Sequence, residues 1–432
     1  MDGLEVAILI ISFLTFLAIG VPVAWTLGLT ALLTLLTTMD GLVAVGTVAQ
    51  RMTTGLDSFS LLAIPFFILA GQLMNRGGLA RRLIDFAKAL VGPLPGGLAA
   101  VNVVSAMLFG AIAGSAAAAA SAIGSIMTKR MEDEGYPRSF SAAVNITSAT
   151  TGLVIPPSNI LIVYSLASGG VSIAALFLGG YLPGVLTGGL LTLAAAVYAR
   201  RKGYPSGDPW NMRMIWQTFW SALPSMLLLV VVIGGIVAGI FTATEASAVA
   251  VAYCLILAFA YGEIRANDLP DVFAESVNTT AIVLLLVSTS LAMSWVMSYE
   301  NLPQAITAGL LGLSDNFFVL LLLINVILLV VGIFMDMTPA VLIFTPIFLP
   351  VVTELGMDPV HFGIMMVLNL CIGLCTPPVG SVLFVGIGVA NIRLTQVLRP
   401  LLPLFLVMLV ALLLVTYVPA LSLWLPDVLL DK

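Results

Sequence analysis

Gly152-Leu153-Val154-Ile155-Pro156-Pro157 and Gly373-Leu374-Cys375-Thr376-Pro377-Pro378 share one pattern: glycine, leucine, two variable positions, then a proline pair. The chain has no other Pro-Pro, and a shift of 221 residues carries the first segment onto the second. Each pair sits in an apolar run, where it must break a helix. The first proline has no N–H, and the rings clash with the preceding turn. The carbonyls freed near Gly152–Ile155 and Gly373–Thr376 have no water to turn to in lipid. They must line protein or a polar cavity, and there they can coordinate a cation. One such motif reads as a simple proline kink. Two at matched positions point to a pair of interrupted helices.

A shift of 221 is close to half of the 432 residues, as a duplication requires. The same shift relates Gly135, in Asp133-Glu134-Gly135, to Gly356, in Glu354-Leu355-Gly356. We therefore read two halves in a single membrane domain, 1–220 and 221–432. Lys129, Arg130 and Arg138 surround the first acidic-glycine loop, whereas Glu354, Asp358 and His361 surround the second, without Lys or Arg. Basic loops stay in the cytoplasm. The two loops thus fall on opposite faces, and the repeat is inverted, a pattern typical of secondary transporters.

Composition agrees with a membrane solvent. The chain is 60% hydrophobic and 9% charged, against roughly 25% charged for a soluble domain. Spans need about 20 apolar residues, and Leu4–Thr38, Leu223–Ile240, Phe317–Phe334 and Leu401–Pro419 approach or exceed that. The runs are continuous rather than alternating, which favours helices over a barrel, with roughly ten to twelve embedded segments expected. The N-terminus lacks the basic region of a cleaved signal, so the first run is expected to remain as span. A net charge of −5 with no basic stripe argues against nucleic acid as partner. Arg200–Arg213 and the Arg393/Arg399 region read as further cytoplasmic loops. Arg76, Arg81, Arg82 and Lys88 suggest an interfacial helix with Leu79, Leu83 and Phe86 toward lipid. Cys254, Cys371 and Cys375 lie in apolar runs and read as small packing residues. The single histidine, His361, is expected in a loop and excludes a multi-histidine metal centre.

The chemistry-bearing residues precede each break by about 41 positions. Gly114-Ser115, followed by the tract Ala116–Ala120, and Asp336-Met337-Thr338 each interrupt a helical run with small or polar residues. Asp336 shifts onto Ser115 by the same 221 residues. Each is readable either as the tip of a helical hairpin, about 104–131 and 326–352, or as part of a continuous span. Broken helices are expected at about 139–164 and 361–388. An ionisable residue at membrane depth is costly and marks function. Asp336, Thr338 and free carbonyls suit a monovalent cation, sodium before a proton. Glu245 has capping-box spacing from Thr242. Asn159, just past the first break, is best placed to face a substrate; Asn145, Asn278, Asn325 and Asn369 read as interhelical hydrogen bonders.

These motifs resemble the large membrane subunit of TRAP (tripartite ATP-independent periplasmic) transporters, the DctM-like family. The resemblance rests on Gly20-Val21-Pro22, Ala63-Ile64-Pro65-Phe66-Phe67-Ile68-Leu69-Ala70-Gly71, Met74-Asn75-Arg76-Gly77-Gly78 and Gly114-Ser115 with the alanine tract. Glu134-Gly135-Tyr136, Pro156-Pro157-Ser158-Asn159, Thr244-Glu245-Ala246 and Thr376-Pro377-Pro378 complete it. Ala243 departs from the proline frequent before Thr-Glu-Ala in the family. The resemblance implies an all-α polytopic fold with two re-entrant hairpins and two interrupted helices, working as an elevator in a bacterial or archaeal cytoplasmic membrane. It implies a sodium gradient as energy source and no organic cofactor. It also implies a small four-helix membrane subunit (DctQ-like) and a periplasmic substrate-binding protein as partners, and a carboxylate as substrate. By motif match, one sodium site takes Ser115, Gly152, Val154 and Pro156. The other takes Asp336, Thr338, Gly373 and Cys375 or Thr376. The substrate candidates are Ser115, Ser158, Asn159 and Thr376. The competing readings are a stand-alone inverted-repeat symporter or antiporter and, more remotely, a membrane enzyme, which would need buried His or Lys relays.

Overall fold

The computed structural model describes residues 3–94, 96–204, 210–313 and 316–430. Residues 205–209 of the expected Arg200–Arg213 loop lie outside that set. Every regular element among the described residues is helical. Among the described residues eight helices are long and apolar enough to cross a membrane, or nine counting one bent pair, and six shorter apolar helices accompany them. The expected ten to twelve embedded segments are thus a mixture of full spans and shorter helices, because breaks divide the apolar runs. Leu4–Thr38, for instance, is split at Gly20-Val21-Pro22 into α1 (Gly3–Ala18) and α2 (Val23–Leu35). Gly20 takes a left-handed φ of +83° there, and Pro22 opens the next helix.

A frame is built from α3 (Gly41–Leu56), α4 (Ala63–Arg76), α5 (Leu79–Val91), α12 (Met212–Val237), α13 (Ala243–Ala260) and α14 (Leu269–Tyr299), whereas α11 (Ile173–Lys202) packs on the inner helices described next. Within it α4 packs on α13, α5 on α12, and α14 against α2, α3 and α4. The α13 start is a capping box: Thr242 N–H donates to Glu245 Oε2 at 2.8 Å, and Glu245 N–H to Thr242 Oγ1 at 3.3 Å. Helix α5 is amphipathic, but its apolar face does not meet lipid. Leu79 and Leu83 are fully buried, and Phe86 packs on Phe219 of α12 at 5.8 Å. Amphipathicity alone does not distinguish a protein neighbour from a lipid one.

Inside this frame lie two sets of helices. The first comprises α6 (Gly97–Ala113), α7 (Ala116–Asp133), α8 (Arg138–Ala149), α9 (Thr151–Val154) and α10 (Asn159–Ala167). The second comprises α16 (Phe317–Phe334), α17 (Met337–Glu354), α18 (Pro359–Leu374) and α19 (Ser381–Ala390), preceded by α15 (Leu302–Leu313). The arms extend beyond the expected 104–131 and 326–352, because their outer ends are set by capping residues rather than by the small-residue tips. Gly96 and Gly135 hold φ of +72° and +87° at two of those ends. Helices α7 and α17 are each 18 residues long, and Arg138 and Pro359, which open α8 and α18, are 221 apart. Both proline pairs are cis. The axis of the first broken helix turns by 52° between Val154 and Asn159.

Glycine fixes the closest approaches. A β-carbon on Gly110 of α6 would meet Gly152 Cα at 2.7 Å, and one on Gly373 of α18 would meet Gly332 Cα of α16 at 2.6 Å. Each first arm therefore rests directly on the backbone of its own broken helix. The second arms cross over: α7 packs on α19, and α17 on α10. The chain closes with α20 (Leu394–Tyr417), packed on α8 and α11, and α21 (Ala420–Leu430), packed on α11.

His361 is not in a loop. Asp358 accepts from the N–H groups of Val360 and His361 and starts α18 at Pro359, so His361 falls in the first turn. It is buried, with Nε2 2.7 Å from the Val415 carbonyl of α20. That is a structural tie between two helices.

Candidate transport site

A cavity of about 450 Å³ opens where the hairpins and breaks converge. Its polar lining is Ser115, Asn159, Asp336 and Thr338, joined by Gln72 and Asn75 from α4, Thr279 from α14, and Ser381. Four helix N-termini reach this one space. Ser115 to Ala118 open α7, Asn159 and Ile160 open α10, Asp336 to Thr338 open α17, and Ser381 and Val382 open α19. A helix N-terminus carries roughly half a positive charge on unsatisfied N–H groups. Such ends are ready-made anion sites.

The two tips are equivalent in structure and different in charge. Ser115 N-caps α7, accepting from the Ala118 N–H at 3.3 Å. Asp336 N-caps α17, accepting from the Met337 N–H at 2.9 Å. Asp336 is ringed by protein yet exposed to the cavity. No basic side chain lines the cavity among the described residues. No second carboxylate, His or Cys joins Asp336 into a multidentate metal cluster among them either. One carboxylate with a neighbouring hydroxyl is a donor set for a hard, monovalent ion rather than a transition metal.

At the breaks, no backbone N–H donates to the carbonyls of Ile155, Pro156 or Cys375 among the described residues. Two carbonyls of the second break do have backbone partners. Thr376 O accepts from Gly380 N–H at 3.1 Å, and Gly373 O from Thr376 N–H at 2.9 Å. The Val154 carbonyl abuts Gly180 of α11.

The cavity thus gathers four residues singled out from sequence: Ser115, Asn159, Asp336 and Thr338. Gly152, Val154, Pro156, Ser158, Gly373, Cys375 and Thr376 are not part of its lining. Ser158 is fully buried. Thr376 turns its hydroxyl to the Ile372 carbonyl at 2.7 Å, and Cys375 turns its thiol to the Ile146 carbonyl at 3.3 Å. Glu245 is at the α13 cap, outside the lining. Gln72, Asn75, Thr279 and Ser381 escaped the sequence reading. Ser381 carried a usable signal, lying three residues beyond the second proline pair, near the position that matches Asn159. Of the four asparagines assigned to interhelical bonds, Asn145 donates to Ala120 O at 2.7 Å, and Asn369 to Asn325 Oδ1 at 2.8 Å. Asn278 instead lies exposed on α14.

Comparison with known proteins supplies the family. A profile of the tripartite ATP-independent periplasmic transporter, DctM component, matches residues 10–421. The C4-dicarboxylate TRAP transporter large permease protein DctM of Rhodobacter capsulatus is 40% identical, over 95% of this chain and 96% of its own length. The isethionate TRAP transporter permease protein DctMQ of Oleidesulfovibrio alaskensis is 43% identical, over 95% of this chain and 65% of its own length. Among solved structures, the YdaH transporter of Alcanivorax borkumensis superposes with a TM-score of 0.63 at 16% identity, covering 90% of this chain and 89% of that one. At that identity the likeness establishes the fold alone. Permeases of the matched family are multi-pass inner-membrane proteins and not enzymes. With the profile spanning almost the whole sequence and these relatives at 40% identity and above, the chain belongs to the DctM family of TRAP transporter large permeases.

Proposed function

We propose that this chain is the translocating subunit of a sodium-coupled importer of a small organic anion. The observation that carries the proposal is the cavity's charge pattern. Four helix N-termini favour an anion, while the only charged lining side chain among the described residues, Asp336, is itself negative. An anion sharing the cavity with a carboxylate is repelled unless cations enter with it. Sodium fits at two tip-and-break junctions: Asp336 and Thr338 with the Gly373–Thr376 segment, and Ser115 with the Gly152–Pro156 segment. The carbonyls of Ile155, Pro156 and Cys375, free of backbone partners, support that assignment. The anion then sits between the junctions, against Asn159 and Ser115. Binding sodium first removes the repulsion, which couples the two ligands without any covalent step.

Relatives named for a C4-dicarboxylate and for isethionate share a small, strongly ionised oxyanion, and we assign that class here. We also propose the family's partners: a small four-helix membrane subunit and a periplasmic substrate-binding protein. The hairpins and broken helices, with α11 packed on them, act as a mobile elevator body, and α3–α5 and α12–α14 are its frame. The alternative, a carrier working alone, predicts transport in the absence of both partners.

Thermal stability of the purified protein in sodium, potassium or choline chloride at equal ionic strength tests the coupling. A ligand at about 100 times its Kd stabilises by about 2.7 kcal/mol. Saturable stabilisation by sodium alone, weakened in Asp336→Ala, is expected. Equal stability in all three salts, with the partner subunit present as well, would overturn sodium coupling.

A further inference from the structure

A second cavity, of about 350 Å³, adjoins the first, and Asn75 and Ala118 line both. It lies between α5 and the Ala118–Ile126 stretch of α7, with Arg81, Ser121, Ser125 and the Gly78 N-cap of α5 in its wall. It therefore extends from the central site along α7 toward Lys129 and Arg130, the end that the positive-inside rule places in the cytoplasm.

Arg81 differs from the basic residues around it. Arg76 is paired with Glu275. Arg82 stacks on the Tyr261 ring at 3.5 Å and donates to Gly78 O at 3.3 Å. Arg130 pairs with Asp85 at 3.8 Å. Arg81 makes no ion pair among the described residues, and it is exposed to the cavity. As the third residue of α5, it adds its charge to the positive end of that helix. Opposite, Ser121 and Ser125 are both exposed and lie one turn apart on α7.

The geometry points to a second anion site at Arg81, Ser121 and Ser125, which receives a small carboxylate or sulfonate between the central cavity and the cytoplasm. A guanidinium fork with two hydroxyls matches an oxyanion. The central cavity holds its anion by helix ends and, as proposed above, by sodium. A cationic side chain next along the route offers the departing anion a partner that needs no sodium. The ligand class rests on the anion-carrier reading, but the test does not.

The probe is the 2-sulfonatoethyl methanethiosulfonate reagent, itself a small organic oxyanion, compared with the trimethylammonium analogue. Ser125→Cys and, separately, Ser121→Cys supply the thiol; the three native cysteines are buried. The ratio of anionic to cationic modification rates is measured on the full chain. It is expected to fall roughly tenfold when Arg81→Gln is added, to be retained with Arg81→Lys, and to shrink in 1 M salt. An unchanged ratio in Arg81→Gln would overturn the site, as would thiols at both positions that resist both reagents. Neither readout uses sodium or transport, so loss of sodium stabilisation in the salt series counts against the coupling proposal alone.

Discussion

The Cys371 thiol donates to the Thr150 carbonyl at 3.3 Å, and these two residues are 221 apart, the same shift that superposes the proline motifs. Matched positions of the two halves therefore touch each other, one turn before each break. Cys375 reaches the same region, with its thiol at 3.8 Å from Thr150 Oγ1.

All three cysteines are buried. In the folded protein Cys254, Cys371 and Cys375 should resist N-ethylmaleimide for hours and react within minutes once denatured. Fast labelling of Cys371 under native conditions would mean that the α8–α18 contact opens readily.

Glycine packing at the breaks gives an ordered series. Gly152→Ala and Gly373→Ala press a methyl group onto the backbone of Gly110 and Gly332, with no flexible side chain to yield. Overpacking of this kind costs about 1–3 kcal/mol. Gly332→Ala should be milder, because its methyl would stand 3.1 Å from Gly373 Cα. Gly189→Ala on α11 meets nothing within 4 Å and should be neutral or gain up to about 1 kcal/mol of helix propensity. Melting temperatures in one detergent check the order.

Asn325 and Asn369 join α16 to α18, and Asn325 Nδ2 reaches Thr416 Oγ1 of α20 at 3.2 Å. Asn369→Ala strands acceptors on Asn325 and should cost about 1–3 kcal/mol. A double-mutant cycle between the two asparagines should give a coupling of about 0.6 kcal/mol and at most about 1.7 kcal/mol, the mean and the maximum found for interhelical bonds in a membrane protein.

Glu300 follows the α14 span. Burial, and then the nearby Glu5 carboxylate, hold its carboxyl above the usual range. A raised acid binds its proton more tightly in the folded state than in the unfolded one. Folding stability should thus fall as pH rises from the ordinary carboxylate range through the raised one, then level off. Glu300→Gln should flatten that limb and leave neutral-pH stability equal or higher. Thermal melts from pH 4 to 8 read this directly; an unchanged acid limb in the variant would assign it to other groups.

The breaks and tips were legible because their signals are local. A proline pair or a charge inside an apolar run announces itself without reference to any neighbour, and so Ser115, Asn159, Asp336 and Thr338 could be found. Gln72, Asn75 and Thr279 could not, since nothing in α4 or α14 says that those helices approach the tips. The face of α5 was misjudged for the same reason: Leu79 and Leu83 look alike whether α12 or lipid covers them. His361 was misplaced through a signal that was present. Asp358-Pro359 is a helix start, with a side-chain cap and proline at the first helical position.

Ser115 and Asp336 cap helices of equal length at corresponding tips. Backbone dipoles alone would offer an ion the same welcome from either half, and such a cradle has no sense of direction. One carboxylate breaks the tie. On the sodium-coupled reading proposed above, it concentrates cation affinity at the second tip, so that filling the cradle acquires an order and the two halves cease to be exchangeable.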